Sequence, residues 1–406
     1  MPNLIRVRPY NLIRYLAARG HRITLLTLYE NEAERGEAEA LKTYCQRIIA
    51  LPLPRWRSLW NCLVTVPTGK PLQTAYCWQP ALSQQLQTVV QGQNGHVPFD
   101  VIHIEHLRGV RYGLALQNQQ NGSRPSPPIV WDSVDCISHL FRQAADISQS
   151  QFGRWVTRFE LGRTEQFESQ LLHRFSRVLV TSPLDKNAFL SLSSNGHRAA
   201  PISVLPNGVD LAYFQLDEAV QREEASVVVS GKMSYHANIT MTLHLVQNIM
   251  PHVWTKRPDA KLWIVGKDPA REVQALNEYA NVTVTGTVAD IRPYLQRATV
   301  AAAPITYGAG IQNKVLEAMA CATPVVTSPQ TVSALTAIPD QELLVAADAK
   351  TFARTLLHLL EDRNRREAIG AAGRTYIEAH HNWAHIAAQL EEIYLGVIGQ
   401  TSQKII

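Results

Sequence analysis

From residue 178 onward, short apolar runs rich in valine and isoleucine alternate with longer stretches whose apolar positions recur at the helical period. The runs lie at 178–181, 227–230, 262–265, 282–285, 300–303 and 325–327. Runs this short, without polar alternation, read as strands covered on both faces, so a parallel sheet with flanking helices such as 239–254 is expected. The first part of the chain follows the same pattern, with strands expected at 23–28, 101–104 and 129–131 and a long helix around 156–175. The pattern as a whole predicts α/β architecture with two Rossmann-like, doubly wound domains facing a cleft. A length of 406 residues suits two such domains, each burying its own core.

Residues 193–202 are polar and contain a glycine, and Pro206-Asn207-Gly208 follows with turn chemistry. We place the hinge there, assigning residues 1–200 to the N-terminal domain and 201–383 to the C-terminal one. The closing helix, within 384–406, is expected to rejoin the first domain. At the other end, 9–19 reads as an amphipathic helix ended by Gly20, yet no strand precedes it. Because a doubly wound domain opens on a strand, we expect the first strand to be missing from this sequence. Its absence would leave an inner slot with unpaired backbone groups.

Composition narrows the classes. With 46% hydrophobic and 18% charged residues the chain is an ordinary globular one. A net charge of +5 without a Lys/Arg block gives no nucleic-acid footprint, but favours anionic ligands or anionic lipid surfaces. Arg6, Arg8, Arg14, Arg19 and Arg22 form the densest basic group, readable equally as a solvated helix face or a binding patch. The five cysteines (Cys45, Cys62, Cys77, Cys136, Cys321) are scattered and odd in number, which reads as buried thiols and not as a disulfide or zinc framework. No apolar run reaches the roughly 18 residues a spanning helix needs, and no secretory signal is apparent. The cytoplasm is the expected location, with a peripheral place at the inner face of a membrane left open.

The segment richest in chemistry is 307–320, Tyr-Gly-Ala-Gly-Ile-Gln-Asn-Lys-Val-Leu-Glu-Ala-Met-Ala, after an expected strand and opening a helix. Gly308 and Gly310 let backbone approach a ligand, and the helix start offers free N–H groups to phosphate. Lys314 and Glu317, three residues apart, share a helix face; there a cation could meet a diphosphate and a carboxylate could accept from ribose hydroxyls. Taken alone, such a pair reads more simply as a surface ion pair.

Its surroundings change that reading. Together with Leu205-Pro206-Asn207-Gly208-Val209-Asp210 and Phe214, Gly231-Lys232-Met233, Leu262-Trp263-Ile264-Val265-Gly266, Val284-Thr285-Gly286 with Asp290, and Thr323-Pro324-Val325-Val326, the segment makes a characteristic series. In the first domain Tyr10-Asn11-Leu12, Leu16-Ala17-Ala18-Arg19-Gly20-His21 and Phe99-Asp100-Val101-Ile102-His103 extend it. In this order the chain resembles the retaining glycosyltransferases of family 4, the group 1 type with the GT-B fold, over nearly its whole length.

The resemblance implies that Glu317 is the second glutamate of the Glu-x7-Glu motif, holding the donor ribose; the first would stand at 309, where this chain has Ala309. It further implies that Lys232, in place of an arginine, faces the donor diphosphate, while Ala237 stands where a lysine is usual. Gly231, Gly266, Lys267, Gly308, Gly310, Ile311 and Lys314 complete the expected donor site. Glu105 and His106 follow the strand after Asp100 at its expected C-terminal end, and one of them would lie near the transferred sugar, with Lys314 as the third candidate catalytic group. Arg6, Asp132 and Asp135 are expected on the acceptor side, with helix capping the simpler role for the aspartates.

No Asp-x-Asp pair is present, so no metal or other cofactor is expected; lysines and a helix N-terminus would meet the charge of the leaving diphosphate. The function implied is transfer of a sugar from a nucleotide-diphosphate sugar to a glycan or lipid-linked acceptor, in envelope or exopolysaccharide synthesis. Two rivals stay open: a nucleotide-sugar 2-epimerase on the same fold, and a non-catalytic nucleotide-sugar-binding relative.

Overall fold

The computed structural model describes residues 7–92, 99–119, 126–147, 151–193, 199–215, 219–306 and 311–403. The chain packs as two units, Met1–Pro206 with Trp383–Ile406, and Asn207–Asn382.

In the first unit the strands are β1 (Thr24–Tyr29), β2 (Arg47–Pro52), β3 (Ile102–Glu105), β4 (Ile129–Val134), β5 (Arg177–Val180) and β6 (Ile202–Val204). All pairings are parallel, in two ladders ordered β1-β2 and β3-β4-β5-β6. Alternate residues of the central strands feed two cores: Ile129, Trp131, Val178 and Val180 pack on one face, Val130 and Leu179 on the other. The second of these cores is closed by Leu12 and Leu16 of the helix Val7–Ala18 and by Trp383, Ile386, Leu390 and Val397 of the last helix, Trp383–Gln403. Apolar residues at intervals of three and four thus make the end of the chain part of the first unit's interior.

The second unit contains β7 (Ser226–Ser230), β8 (Lys261–Val265), β9 (Val282–Gly286), β10 (Val300–Ala303), β11 (Val325–Thr327) and β12 (Leu344–Val345). They form one parallel sheet ordered β12-β11-β10-β7-β8-β9, with the unit's first strand in the middle. Chain order reverses between β7 and β10, which is where ligands collect outside the carboxyl ends of such sheets. The helix expected at 239–254 is His236–His244 followed by a π-helical turn, Leu245–Ile249, and Met250–Trp254. Pro251, which has no N–H to give to the preceding turn, accounts for the widened stretch.

Two expectations need correction, and several elements carry little signal in the sequence. The boundary does not fall at 200: β6 begins at Ile202, which pairs with Val178, and the first unit continues to Pro206. The strand Arg47–Pro52 and the helices Arg55–Thr65, Leu72–Tyr76 and Pro80–Gln91 are short or carry apolar residues out of phase with burial, so the hydrophobic pattern marks them weakly. The basic group near the start is not one solvated face: Arg8 is buried and ion-paired to Asp132 at 2.8 Å, and Arg19 bonds Glu391.

Candidate functional site

The second unit's site grows out of two glycines. Gly231, just beyond β7, has φ +144, and Gly266, just beyond β8, has φ +156, conformations that side chains resist. They lie against each other: a Cβ on Gly266 would stand 1.7 Å from the Gly231 carbonyl oxygen, and one on Gly231 would stand 2.9 Å from Asn238 Nδ2 and 3.4 Å from Lys314 Cε. Backbone bonds tie the two loops, from Gly231 N to Val265 O at 3.0 Å and from Met233 N to Lys267 O at 2.9 Å. Two glycine loops thus pack closely on each other beside a lysine, just beyond the carboxyl ends of β7 and β8.

That lysine is set by the helix Asn313–Ala320, whose Val315, Leu316, Ala318, Met319 and Ala320 are buried. Its carboxyl end is fixed by cations: Arg374 donates to Ala320 O, and Arg222 to Ala322 O at 2.7 Å and Cys321 O at 3.3 Å. Positive charge at that end complements the helix dipole and leaves the amino end, with its free N–H groups, available to an anion. Lys314 Nζ donates to a neutral partner, Gln312 Oε1, at 2.8 Å. Burial lowers Lys314 to about 8, against the opposing pull of Glu317, and raises Glu317 to about 7, against that of Lys314. Two groups destabilised by desolvation at the sheet edge are suited to an anionic ligand bearing hydroxyls, which would favour the charge on Lys314 and donate hydrogen bonds to Glu317.

Of the expected donor residues, Gly231, Gly266, Lys314 and Glu317 occupy this edge. Lys232 is exposed directly after Gly231, Lys267 is half-buried after Gly266, and Ile311 packs against the unit's apolar core. Gly308 and Gly310 lie outside the described residues, as does Ala309.

In the first unit β3 and β4, neighbours in the sheet, both end in left-handed backbone: φ is +62 at His106 and +69 at Val134, where the register with β5 also shifts. A β-branched residue in that conformation is strained, and strain of this kind gathers where backbone is shaped for a task. Glu105 and His106, both half-buried, sit at the carboxyl end of β3. Asp135 follows β4; burial and then the neighbouring Asp185 carboxylate push it up to about 7. Asp132 is instead enclosed. It pairs with Arg8 and lies 3.6 Å from His103 Nε2, whose Nδ1 shares a 2.8 Å hydrogen bond with the Tyr394 hydroxyl. Burial holds His103 below the ordinary imidazole range despite Asp132. This cluster joins the helix at the start of the unit, β3, β4 and the last helix. Arg6 lies outside the described residues.

Two residues at the donor edge escaped sequence reasoning. Asn238, buried, supports the Gly231 loop through a 2.9 Å bond to Lys232 O, and Gln312 holds Lys314. Asn238 lies in the first turn of the helix His236–His244, six residues after Lys232, and carries no periodic signal; Gln312 stands inside the glycine-rich segment as a polar neighbour of its lysine.

The description "Glycosyl transferase 4-like domain" matches residues 5–208, and "Glycosyl transferases group 1" matches residues 224–362. A GDP-mannose-dependent monoacylated alpha-(1-6)-phosphatidylinositol monomannoside mannosyltransferase of Corynebacterium glutamicum is 33% identical over 164 residues, 36% of this chain and 41% of that protein. A GDP-mannose-dependent alpha-(1-6)-phosphatidylinositol monomannoside mannosyltransferase of Mycobacterium tuberculosis is 28% identical over 226 residues, 49% of this chain and 57% of that one. The matches thus span roughly half the length of these curated relatives. Among solved structures, sucrose-phosphate synthase from Thermosynechococcus elongatus superposes with a TM-score of 0.65 at 19% identity, covering 93% of this chain and all 100% of that one. Anabaena HepE in complex with UDP and glucose does so at 0.64 and 16% identity, covering 94% and 95%.

Proposed function

The chain belongs to the group 1, family 4 glycosyltransferases with the GT-B fold, and on that premise we propose that it transfers a sugar from a nucleotide-diphosphate sugar to a glycan or lipid-linked acceptor. The observation that carries this reading is the carboxyl edge of the second unit's sheet, where the Gly231 and Gly266 loops pack closely on each other beside Lys314 and the start of the helix Asn313–Ala320. In the reaction the bond from the anomeric carbon to the donor phosphate breaks and a bond from that carbon to the acceptor oxygen forms. The proton of the acceptor passes to the departing diphosphate, and the new bond keeps the anomeric configuration of the old. Lys314, Lys232 and the helix N–H groups take up the negative charge that grows on the leaving diphosphate. Glu317 accepts from the ribose hydroxyls. Glu105 or His106 lies near the transferred sugar and Asp135 serves the acceptor, while Asp132, bound to Arg8, keeps the strand ends in place.

The first test is calorimetric titration of GDP, UDP, GDP-mannose and UDP-glucose into the parent protein and into Lys314→Ala and Glu317→Ala, followed by NMR of the product's anomeric centre. One donor should bind, and each substitution should weaken it about 10- to 100-fold, the loss of one or two charge-assisted hydrogen bonds. Unchanged binding in both variants would remove this site. Free sugar made without an acceptor would replace transfer with epimerisation or hydrolysis, and an inverted product would overturn retention.

A further inference from the structure

The helix Arg55–Thr65 of the first unit is amphipathic the wrong way round. Its inward face is made of Ser58 and Thr65, buried, with Asn61 and Cys62, half-buried; Asn61 donates to Trp78 O at 2.8 Å and Cys62 lies 3.8 Å from Leu72 O. Its outward face carries Trp56 at 67% exposure, Leu59 at 66%, Trp60 at 59% and Leu63 at 62%, a stripe at intervals of three and four. Water is a poor solvent for such a stripe, and an exposed apolar patch of this kind marks a second phase or partner.

The patch extends beyond the helix. Val66 is 40% exposed, and its carbonyl accepts from Arg163 at 2.8 Å. The Arg163 guanidinium in turn lies over the Phe159 ring at 3.8 Å, bringing a further exposed aromatic to the edge. The rim is basic, with Arg55, Lys70 and Arg158 exposed. Arg55 is shared with Glu30 at 3.1 Å, and Glu160 is turned inward to accept from Leu72 N at 2.9 Å. The sequence sharpens this: between Glu39 and Asp100 there is no Asp or Glu at all, but five Lys or Arg, a number equal to the net charge of the whole chain, +5.

We propose that this face docks the first unit onto an anionic lipid bilayer, with the helix Arg55–Thr65 lying in the plane of the interface. Tryptophan is at home at the headgroup level, where an apolar ring and an N–H donor are both satisfied, and leucines beside it reach the acyl boundary. Basic residues at the rim meet the negative surface potential of such a membrane. An unbroken absence of acids over a broad segment suits a surface that is negative everywhere, whereas a protein partner would present both signs. The proposal does not rest on the donor site, which lies in the other unit and serves as the control.

Flotation with vesicles of phosphatidylcholine alone, and of equal parts phosphatidylcholine and phosphatidylglycerol, tests it. The parent should float with the anionic vesicles and lose binding as salt is raised. Trp56→Ser combined with Trp60→Ser should weaken that binding about tenfold or more, and Arg55→Gln with Lys70→Gln should remove the preference for anionic lipid. These positions are exposed, so the melting temperature and donor binding should stay as in the parent. No flotation of the parent, equal flotation of the tryptophan variant, or a self-association that the tryptophan variant abolishes in the absence of lipid would overturn the proposal.

Discussion

Lys314 and Glu317 share one face of an eight-residue helix, and desolvation acts on them in opposite senses, lowering the ammonium and raising the carboxyl. The lysine titrates at about 8, so the charge that would meet a diphosphate is present below that pH and lost above it. A bound diphosphate favours the ammonium, so binding takes up a proton and the affinity for the nucleoside diphosphate should fall as pH rises through 8, by up to tenfold per unit. Lys314→Arg, always charged, should flatten this slope; titrations at pH 7 and 9 decide it, and equal slopes in both proteins would detach Lys314 from the ligand. Much of this was legible in the sequence, because glycines before a helix start and a Lys-x-x-Glu pair have a direct physical meaning. What was not legible is support from a distance. Gln312 and Asn238 act through single hydrogen bonds, and Asp132, a candidate for the acceptor, is claimed by an arginine 124 residues away. Breaking a buried pair such as Arg8–Asp132 costs about 3–5 kcal/mol, which weighs against a role that would release it.

Elements are legible in the sequence where a compact apolar run marks them and hidden where it does not. The apolar runs inside β4, β5, β7 and β8, at 129–131, 178–180, 227–229 and 262–265, mark those strands in the sequence; the inverted helix Arg55–Thr65 is not marked in this way. The edge positions of β1 and β3 in their ladders lead to a prediction of their own. The second unit seats its first strand, β7, between β8 and β10, whereas in the first unit β1 and β3 each pair along one edge only among the described residues. Alternate amides of β1 and β3, those facing away from β2 and β4, should therefore exchange with deuterium far faster than amides of β4, which is paired on both sides. Uniform protection across β1 and β4 in a residue-resolved exchange experiment would mean that the open edges are covered.

At the scale of the whole molecule, the last helix decides which unit is complete. Trp383 and Leu390 are buried with Leu12, Leu16 and Leu205, all in the first unit. Leu390→Ala should cost about 2–5 kcal/mol there and leave the second unit's melting transition and nucleotide affinity close to those of the parent. A matching loss in the second unit, followed by differential scanning calorimetry, would show that the two cores are not independent. Among the described residues no helix is long and apolar enough to cross a membrane.

The second unit enters at Asn207 and leaves at Asn382, and the two ends are bonded side by side: Val209 N donates to His381 O at 2.7 Å, and His381 Nδ1 meets Asn207 O at 2.6 Å. For the first unit it is an insertion whose ends adjoin. On a ribosome, which delivers chains from the amino end, the inserted unit has all its strands before Trp383 is made. The half that begins the chain is the last to finish, and until its closing helix emerges its apolar surface is a claim on chaperones.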